Sequence, residues 1–229
     1  MLKKSIVLSA VVAFILAMGS FAFAGEHYVN GIDANFPPFA YVDDAGNPAG
    51  FDVECAEWIA DKMGFTIEHK PVEWSAIIPT LLAKKIDFIA SGMSITEERA
   101  KQVNFSNPYW VIKQVFVVKE DSALTVEDVL SGDNMALGVQ SGTSEAEWLK
   151  DEKEAQGFTF DLRFYDSSPL SIEDVLNGRI AAAAMDDAPA QDAVNKKPVK
   201  IIGTFGMHEE NFGYATRQED TELLDMLNQ

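Results

Sequence analysis

The stretch Ser171–Asn195 reads SIEDVLNGRIAAAAMDDAPAQDAVN, and it decides the fold. Ser171–Asn177 has apolar side chains at helical spacing and ends before Gly178, the residue type that most often follows a helix. Ile180–Met185 is a short apolar run, typical of a strand that is buried on both faces. Ala188–Asn195 has helical spacing again. A helix, a buried strand and a second helix in succession predict an α/β protein with mainly parallel sheets.

The same alternation extends along the chain in both directions from this stretch. Strand-like segments such as Tyr28–Ile32 and Met135–Val139 alternate with helix-like segments such as Asp52–Met63 and Thr143–Glu154. No internal repeat or low-complexity segment interrupts the pattern. The α/β prediction therefore applies to nearly the whole chain.

The N-terminus has the three parts of a secretory signal peptide. Lys3 and Lys4 precede an apolar run from Ile6 to Met18, and small residues at Ala22 and Ala24 provide a cleavage site. We therefore expect residues 1–24 to be a cleaved signal and the protein to be periplasmic. An uncleaved membrane anchor is the alternative, although the apolar run is short for a membrane span.

The remaining chain is strongly acidic. Residues 25–229 carry 16 Lys and Arg against 36 Asp and Glu, a net charge of −20. This charge argues against nucleic acid as a partner and mildly favours cationic or zwitterionic ligands. The three histidines are too scattered for a metal site, Cys55 is the single cysteine, and no Gly-x-Ser-x-Gly is present. We expect no metal, no cofactor and no catalytic residue.

Four segments, in this order, carry a resemblance to a known family: Gly31–Phe39 with Gly50–Glu54, Glu73–Leu81 leading to Ser91–Arg99, Gly138–Thr143, and Gly178–Asp186. With a signal peptide before them, they make the chain resemble the periplasmic amino-acid-binding proteins of ABC importers (bacterial extracellular solute-binding proteins, family 3). The likeness covers essentially the whole chain after residue 24. The last two segments are weak singly, and the set is specific.

The resemblance implies a two-lobed periplasmic-binding-protein fold of type II, with two sheets joined by two hinge strands. Lobe 1 would contain residues 25–112 and 212–229, and lobe 2 residues 113–211, with hinge crossings near 112–114 and 210–213. Relatives continue for roughly another helix and a half beyond the helix that begins at Thr221, and the sequence leaves open whether this C-terminus is truncated. The implied partners are a free amino acid and a membrane-embedded ABC permease, and the protein is expected to be a monomer.

Two segments are predicted to bind the carboxylate of an amino acid. Arg99 offers a planar guanidinium suited to bidentate pairing, and Thr96 before it is a candidate helix N-cap. Spacing alone would equally allow Arg99 to be a solvated helix charge, and it is the resemblance that favours binding. Gly142, Thr143 and Ser144 lie between a strand and a helix, where backbone N–H groups form an anion site. An ordinary capped turn is the alternative there.

The ammonium group needs an acidic acceptor. Asp186 ends the buried strand, where the family places this residue, although Asp187 directly after it stays open as the acceptor. The resemblance completes the cage around the ammonium and carboxylate with a lobe 1 segment consisting of Ser91, Gly92, Met93 and Ser94.

Asp33, Phe36 and Trp74 are predicted to line the pocket for the ligand side chain. Aromatic walls suit an aliphatic stem or a planar cation, and Asp33 can accept a hydrogen bond from a basic or amide head. Trp74 could equally be ordinary core by its spacing. Gln140 flanks the carboxylate site. Together these residues favour a polar or basic amino acid.

Two rival functions remain at this point. An exported cyclohexadienyl or arogenate dehydratase has the same fold, and it would require a general acid with a raised pKa in the cleft. The sequence offers no obvious extra carboxylate, although Asp187 or Glu73 could serve. A sensor domain would require a following transmembrane segment, and residues 25–229 contain no such apolar run.

Overall fold

The computed structural model describes residues 26–133 and 135–229. The predicted signal peptide, residues 1–24, lies outside the described residues. Within the part of the chain that is described, no helix is long and apolar enough to cross a membrane.

We call lobe 1 the elements around the first five-stranded sheet, which come from both ends of the described chain. They are β1 His27–Ile32, β2 Asn35–Phe36, β3 Ala40–Val42, β4 Pro48–Ala49, α1 Phe51–Met63, β5 Thr66–Pro71, the 3-10 helix Trp74–Ala76, α2 Ile77–Leu82, β6 Phe88–Ile89, α3 Glu97–Ala100 and β7 Val103–Phe105. The last elements of the chain, β15 Ala215–Arg217 and α8 Thr221–Leu227, belong to the same lobe.

Lobe 2 surrounds the second five-stranded sheet and is continuous in sequence. Its elements are β9 Gln114–Lys119, α4 Val126–Ser131, β10 Ala136–Gln140, α5 Ser144–Gln156, β11 Asp161–Tyr165, α6 Ser168–Leu176, β12 Ala182–Asp186, α7 Asp187–Lys196 and β13 Val199–Thr204. The first two helices of the lobe begin at threonine N-caps: Thr125 forms a capping box with Asp128, and the Thr143 hydroxyl accepts from Ala146 N–H.

Helices cover both faces of the lobe 2 sheet because its central strands are apolar on both sides. On β9, Phe116 and Val118 pack into one cluster with Leu137 and Leu149. Val115 and Val117, which alternate with them, pack into a second cluster on the opposite face. The all-apolar run predicted as a buried strand is β12, whose residues are all buried.

The prediction of α/β architecture with mainly parallel sheets is confirmed: in each five-stranded sheet four strands run in one direction, and one strand, β15 or β9, runs the opposite way and makes the sheet mixed. The orders are β5-β1-β6-β15-β7 and β11-β10-β12-β9-β13, and each sheet contains two parallel and two antiparallel pairings. The antiparallel pairings all involve β15 or β9, and each of these directly follows a hinge strand. Because β9 and β15 enter their lobes from the hinge, they run away from it. The other strands of each sheet run towards it, so they are antiparallel to β9 or β15.

Two short strands connect the lobes. Trp110–Ile112, β8, leads from lobe 1 to lobe 2, and Glu210–Phe212, β14, leads back. The two strands pair with each other in an antiparallel ribbon, with Val111 opposite Asn211. The connection is therefore a two-stranded hinge, and a cleft lies beside it between the carboxyl ends of the strands of each lobe.

Candidate functional site

A cavity of about 310 Å³ lies in the cleft between the two lobes. Its lining residues come from both lobes, and they are Asp33, Phe36, Trp74, Ser91, Gly92, Ser94, Arg99, Gln140, Thr143, Ser144, Glu145 and Asp186. Eleven of these twelve are residues that the sequence singled out, and the addition is Glu145.

The ends of strands position most of the lining side chains. In lobe 1, Asp33 directly follows β1, and the Ser91–Ser94 segment follows β6. In lobe 2, Gln140 ends β10 and Asp186 ends β12. The strands that precede these residues are parallel within each sheet, so their carboxyl ends meet at the same edge, where ligands of open α/β sheets bind.

Met93 is the one predicted residue whose side chain does not line the cavity. It is fully buried in the apolar core of lobe 1, in the same cluster as Ile77 and Ile89. Its neighbours Gly92 and Ser94 line the cavity. The Met93 side chain therefore points away from the cavity and into the lobe.

Arg99 extends from the short helix α3, which begins at Thr96 as predicted, since the Thr96 hydroxyl accepts from Arg99 N–H. The Arg99 guanidinium donates to Ser94 O at 2.9 Å within lobe 1 and to Gly142 O at 3.1 Å in lobe 2. It also lies 5.4 Å from the centre of the Trp74 ring. Two of its five N–H donors are used in these bonds, so the group can still pair with a carboxylate.

The lobes touch at Gly142. Its carbonyl accepts a second bond from lobe 1, from Trp74 Nε1 at 3.1 Å. Gly142 has a φ of +78°, and a Cβ at this position would lie 3.0 Å from Ser75 Cα. A larger residue would be strained in backbone conformation and would also push the two lobes apart.

Asp33 and Gln140 form a second contact between the lobes, inside the cavity. Gln140 Nε2 donates to Asp33 Oδ2 at 2.7 Å, and Gln140 Oε1 accepts from Ser168 Oγ at 3.0 Å. Burial raises the pKa of the Asp33 carboxyl, and the bond from Gln140 opposes that shift. This pair presents an acidic acceptor at one end of the cavity.

Asp186 is the acidic residue that faces the cavity, and Asp187 is not among the lining residues. Asp186 is only 7% exposed at the end of β12, whereas Asp187 is half-buried and begins α7. Gln114 Nε2 donates to Asp186 Oδ1 at 3.0 Å. Burial raises the pKa of Asp186 well above its ordinary value, and the charges of Glu145 and Glu210 raise it further.

Glu145 is the lining residue that sequence reasoning missed. It lies in the first turn of α5, directly after Thr143 and Ser144, and is 4% exposed. Burial, together with the charge of Glu210, raises the pKa of Glu145 to about 7, although the Arg99 charge acts in the opposite direction. Glu210 itself accepts from Ser144 Oγ at 2.7 Å. An acidic cluster of Glu145, Asp186 and Glu210 therefore lies beside Arg99.

Acidic residues dominate the electrostatics of the cavity. Three of the lining residues are carboxylic acids and one is a guanidinium. Within residues 26–133 and 135–229, no group of three His, Cys, Asp or Glu side chains has the arrangement of a metal site. The cavity thus offers one anion-binding group, several cation-binding groups, and aromatic walls from Phe36 and Trp74.

Comparison with known proteins places this architecture in a family. The family described as bacterial extracellular solute-binding proteins, family 3, matches residues 28–229. The chain belongs to this family. The family's proteins are extracytoplasmic, so membership places this solute-binding protein outside the cytoplasm.

Individual relatives resemble the chain over most of its length. It is 31% identical to the L-cystine-binding protein TcyJ of Escherichia coli (strain K12), over 95% of this chain and 84% of TcyJ. The arginine-bound form of ArgBP from T. maritima superposes with a TM-score of 0.79 at 35% identity, covering 88% of this chain and 93% of that one. An ancestral amino-acid-binding protein described as a precursor of cyclohexadienyl dehydratase gives a TM-score of 0.79 at 33% identity, covering 88% and 86%.

Proposed function

We propose that this protein captures a free amino acid, polar or basic in its side chain, between its two lobes and delivers it to a membrane-embedded ABC permease. One observation carries the proposal: Arg99 of lobe 1 and Asp186 of lobe 2 face the same cavity. A free amino acid has a carboxylate and an ammonium at fixed separation, and these two side chains provide a partner for each. We assign the carboxylate to Arg99 with the N-terminus of α5, and the ammonium to Asp186.

The rest of the cavity supports a ligand with positive charge. Arg99 and Asp186 balance each other, so Asp33 and Glu145 are surplus acids. A cationic side chain would offset one of these buried charges, and Asp33 lies beside Phe36, whose ring can stack on an aliphatic stem or a planar cation. The related ArgBP was solved with arginine bound. We also propose that residues 1–24 are a cleaved signal peptide, that the protein is periplasmic, and that it acts as a monomer.

A thermal-shift screen against the twenty amino acids, ornithine and cystine tests the proposal. A ligand at 100 times its dissociation constant adds about 2.7 kcal/mol of stability, which raises the melting temperature by roughly 5–11 °C in a protein of this size. We expect the largest shifts from basic amino acids. Agmatine and N-acetyl-arginine are matched controls because each lacks one charged end. A screen in which no amino acid raises the melting temperature by about 1 °C would contradict the function.

One observation favours a second candidate, an exported dehydratase that acts on a cyclohexadienyl amino acid. Glu145 is a buried carboxyl in the cleft whose pKa is raised to about 7, which is the property that a general acid requires. Asp187 and Glu73, the candidates from the sequence, do not line the cavity. Incubation with arogenate or prephenate, followed by absorbance of the aromatic product, separates the functions. Product formed by the native protein and not by Glu145→Gln would establish the enzyme.

A further inference from the structure

A buried carboxyl group lies behind the cavity, on the side of lobe 1 that faces the hinge. Asp52 is fully buried in the first turn of α1. Its Oδ2 accepts from Gly92 N–H at 2.6 Å and from the Tyr109 hydroxyl at 2.9 Å. Gly92 lines the cavity, and Tyr109 immediately precedes the hinge strand β8. One carboxyl group therefore connects the ligand side of the lobe to the outgoing hinge crossing.

The same group reaches the returning crossing through Tyr214. This residue follows the hinge strand β14, and its ring centre lies 4.6 Å from that of Tyr109. Burial raises the pKa of Asp52 to about 7, and hydrogen bonds from Tyr109 and Gly92 oppose the shift. Asp52 is thus bonded to the residue before the outgoing crossing, and that residue packs on Tyr214 beside the returning one.

Backbone bonds join the segment around Gly92 to the returning strand directly. Gly213 N–H donates to Met93 O at 3.0 Å, and Ile95 N–H donates to Asn211 O at 2.8 Å. Met93 therefore contributes its carbonyl to the hinge while its side chain fills the core of lobe 1. The Ser91–Ser94 segment is therefore hydrogen-bonded to the returning hinge strand on one side and to Asp52 on the other.

Stability alone does not account for a carboxyl group at this position. Asp52 Oδ1 is buried and has no hydrogen-bond partner among the residues that the structure describes. A buried polar atom without a partner costs free energy, and an apolar side chain would avoid that cost. What the acid provides is an acceptor that can take several donors at once, from segments that are distant in sequence.

We propose that Asp52 is a positioning residue that makes the Ser91–Ser94 segment and both hinge crossings move as one body when the lobes open and close. This proposal rests on the proposed function, because Asp52 would keep the Ser91–Ser94 segment in its ligand-binding position while the lobes move. Gly92 has a φ of +60°, and a Cβ there would lie 2.4 Å from the Phe36 ring, so the segment fits only one position. Without the acceptor, Gly92 N–H loses its partner and the segment must be ordered again at each binding event.

The test compares Asp52→Ala with Asp52→Asn, in which an amide oxygen can still accept from Gly92 and Tyr109. Glu54→Gln is the matched control, because Glu54 is an exposed acid in the same helical turn. Hydrogen–deuterium exchange is measured on the ligand-free proteins, and dissociation constants are measured for L-arginine and L-cystine by calorimetry. Tyr109→Phe, which removes the hydroxyl that donates to Asp52 and keeps the ring, serves if Asp52→Ala does not fold.

We expect Asp52→Ala to increase exchange at least threefold in peptides covering 91–95, 109–114 and 210–214, and to weaken binding at least tenfold. Asp52→Asn should stay within threefold of the native affinity, and Glu54→Gln should change nothing. Increased exchange confined to α1, or spread equally through lobe 2, would overturn the proposal, because either result indicates only a structural role. If the native protein binds neither probe, the assigned ligand class fails, and the exchange pattern still decides the role of Asp52.

Discussion

Replacing Glu145 with glutamine should change how the stability of the protein depends on pH. The pKa of Glu145 rises from an ordinary 4.5 to about 7 in the folded protein, because the carboxyl is buried and lies near other acids. The folded state therefore holds a proton that the unfolded state has lost between these two pH values. The stability that this proton provides is fully present below the unfolded pKa and disappears as the pH rises through the folded pKa.

The magnitude follows from the size of that shift. At about 1.4 kcal/mol per pH unit, ionisation of Glu145 costs the native protein about 1 kcal/mol at pH 5 and about 3 kcal/mol at pH 8. Glutamine has nearly the same shape and no ionisation. We expect the melting temperature of Glu145→Gln relative to the native protein to rise by roughly 4–8 °C between pH 5 and pH 8.

Differential scanning calorimetry at half-unit steps from pH 5 to pH 8 measures this difference. Glu147→Gln is the matched control, because Glu147 lies two residues further along the same helix and is exposed. The difference in melting temperature between Glu147→Gln and the native protein should be constant from pH 5 to pH 8. If the difference in melting temperature between Glu145→Gln and the native protein is equally constant, or is larger at pH 5 than at pH 8, Glu145 is not a buried carboxyl that is protonated in the folded state.

Four further substitutions test the site. Arg99→Ala should weaken binding of the best ligand from the screen by about 2–5 kcal/mol in calorimetry, because it leaves a buried carboxylate unpaired, and a loss below threefold contradicts the role. Asp186→Asn should weaken binding of the same ligand by a similar amount, whereas Asp187→Asn should leave its affinity within threefold of the native value. The opposite result would make Asp187 the ammonium acceptor. Gly92→Ala should lower the melting temperature by roughly 2–8 °C, because a positive φ of +60° costs a residue with a Cβ about 1–2 kcal/mol, and an unchanged melting curve contradicts this.

The sequence was informative where local chemistry decides position. Thr96 caps the helix that its side chain predicted, since an N-cap needs only residues three apart. The apolar run around Ala182–Met185 is a buried strand, and the acid that ends it reaches the cleft. Strand direction was not accessible in the same way. Whether β9 runs parallel or antiparallel to β12 depends on where the hinge strand enters the lobe, and no local pattern records that.

Glu145 was missed for an electrostatic reason. An acid in the first turn of a helix is ordinarily explained by the helix dipole and by solvent, so its presence after Thr143 predicts a surface residue. The available signal was its position beside the predicted anion site, since a residue there must lie near the cleft. The pKa of Glu145 is also affected by the charges of Glu210 and Arg99, which come from distant parts of the chain. The folded structure is needed to show that Glu145 and Glu210 lie near the same guanidinium, that of Arg99.

That surplus of acid determines what a ligand must do to close the lobes. The contacts that join the lobes within the cleft include neutral or singly charged hydrogen bonds at Gly142 and between Asp33 and Gln140, each contributing about 1–2 kcal/mol. Glu145 and Asp186 of lobe 2 also attract Arg99 of lobe 1 when they are ionised, and burial and their mutual repulsion raise the pKa of both acids. A ligand shifts the equilibrium between open and closed forms only by its difference in affinity for them. A cationic ligand can contact Asp33 of lobe 1 and Glu145 or Asp186 of lobe 2 together only in the closed form, so we expect closure to favour ligands with positive charge.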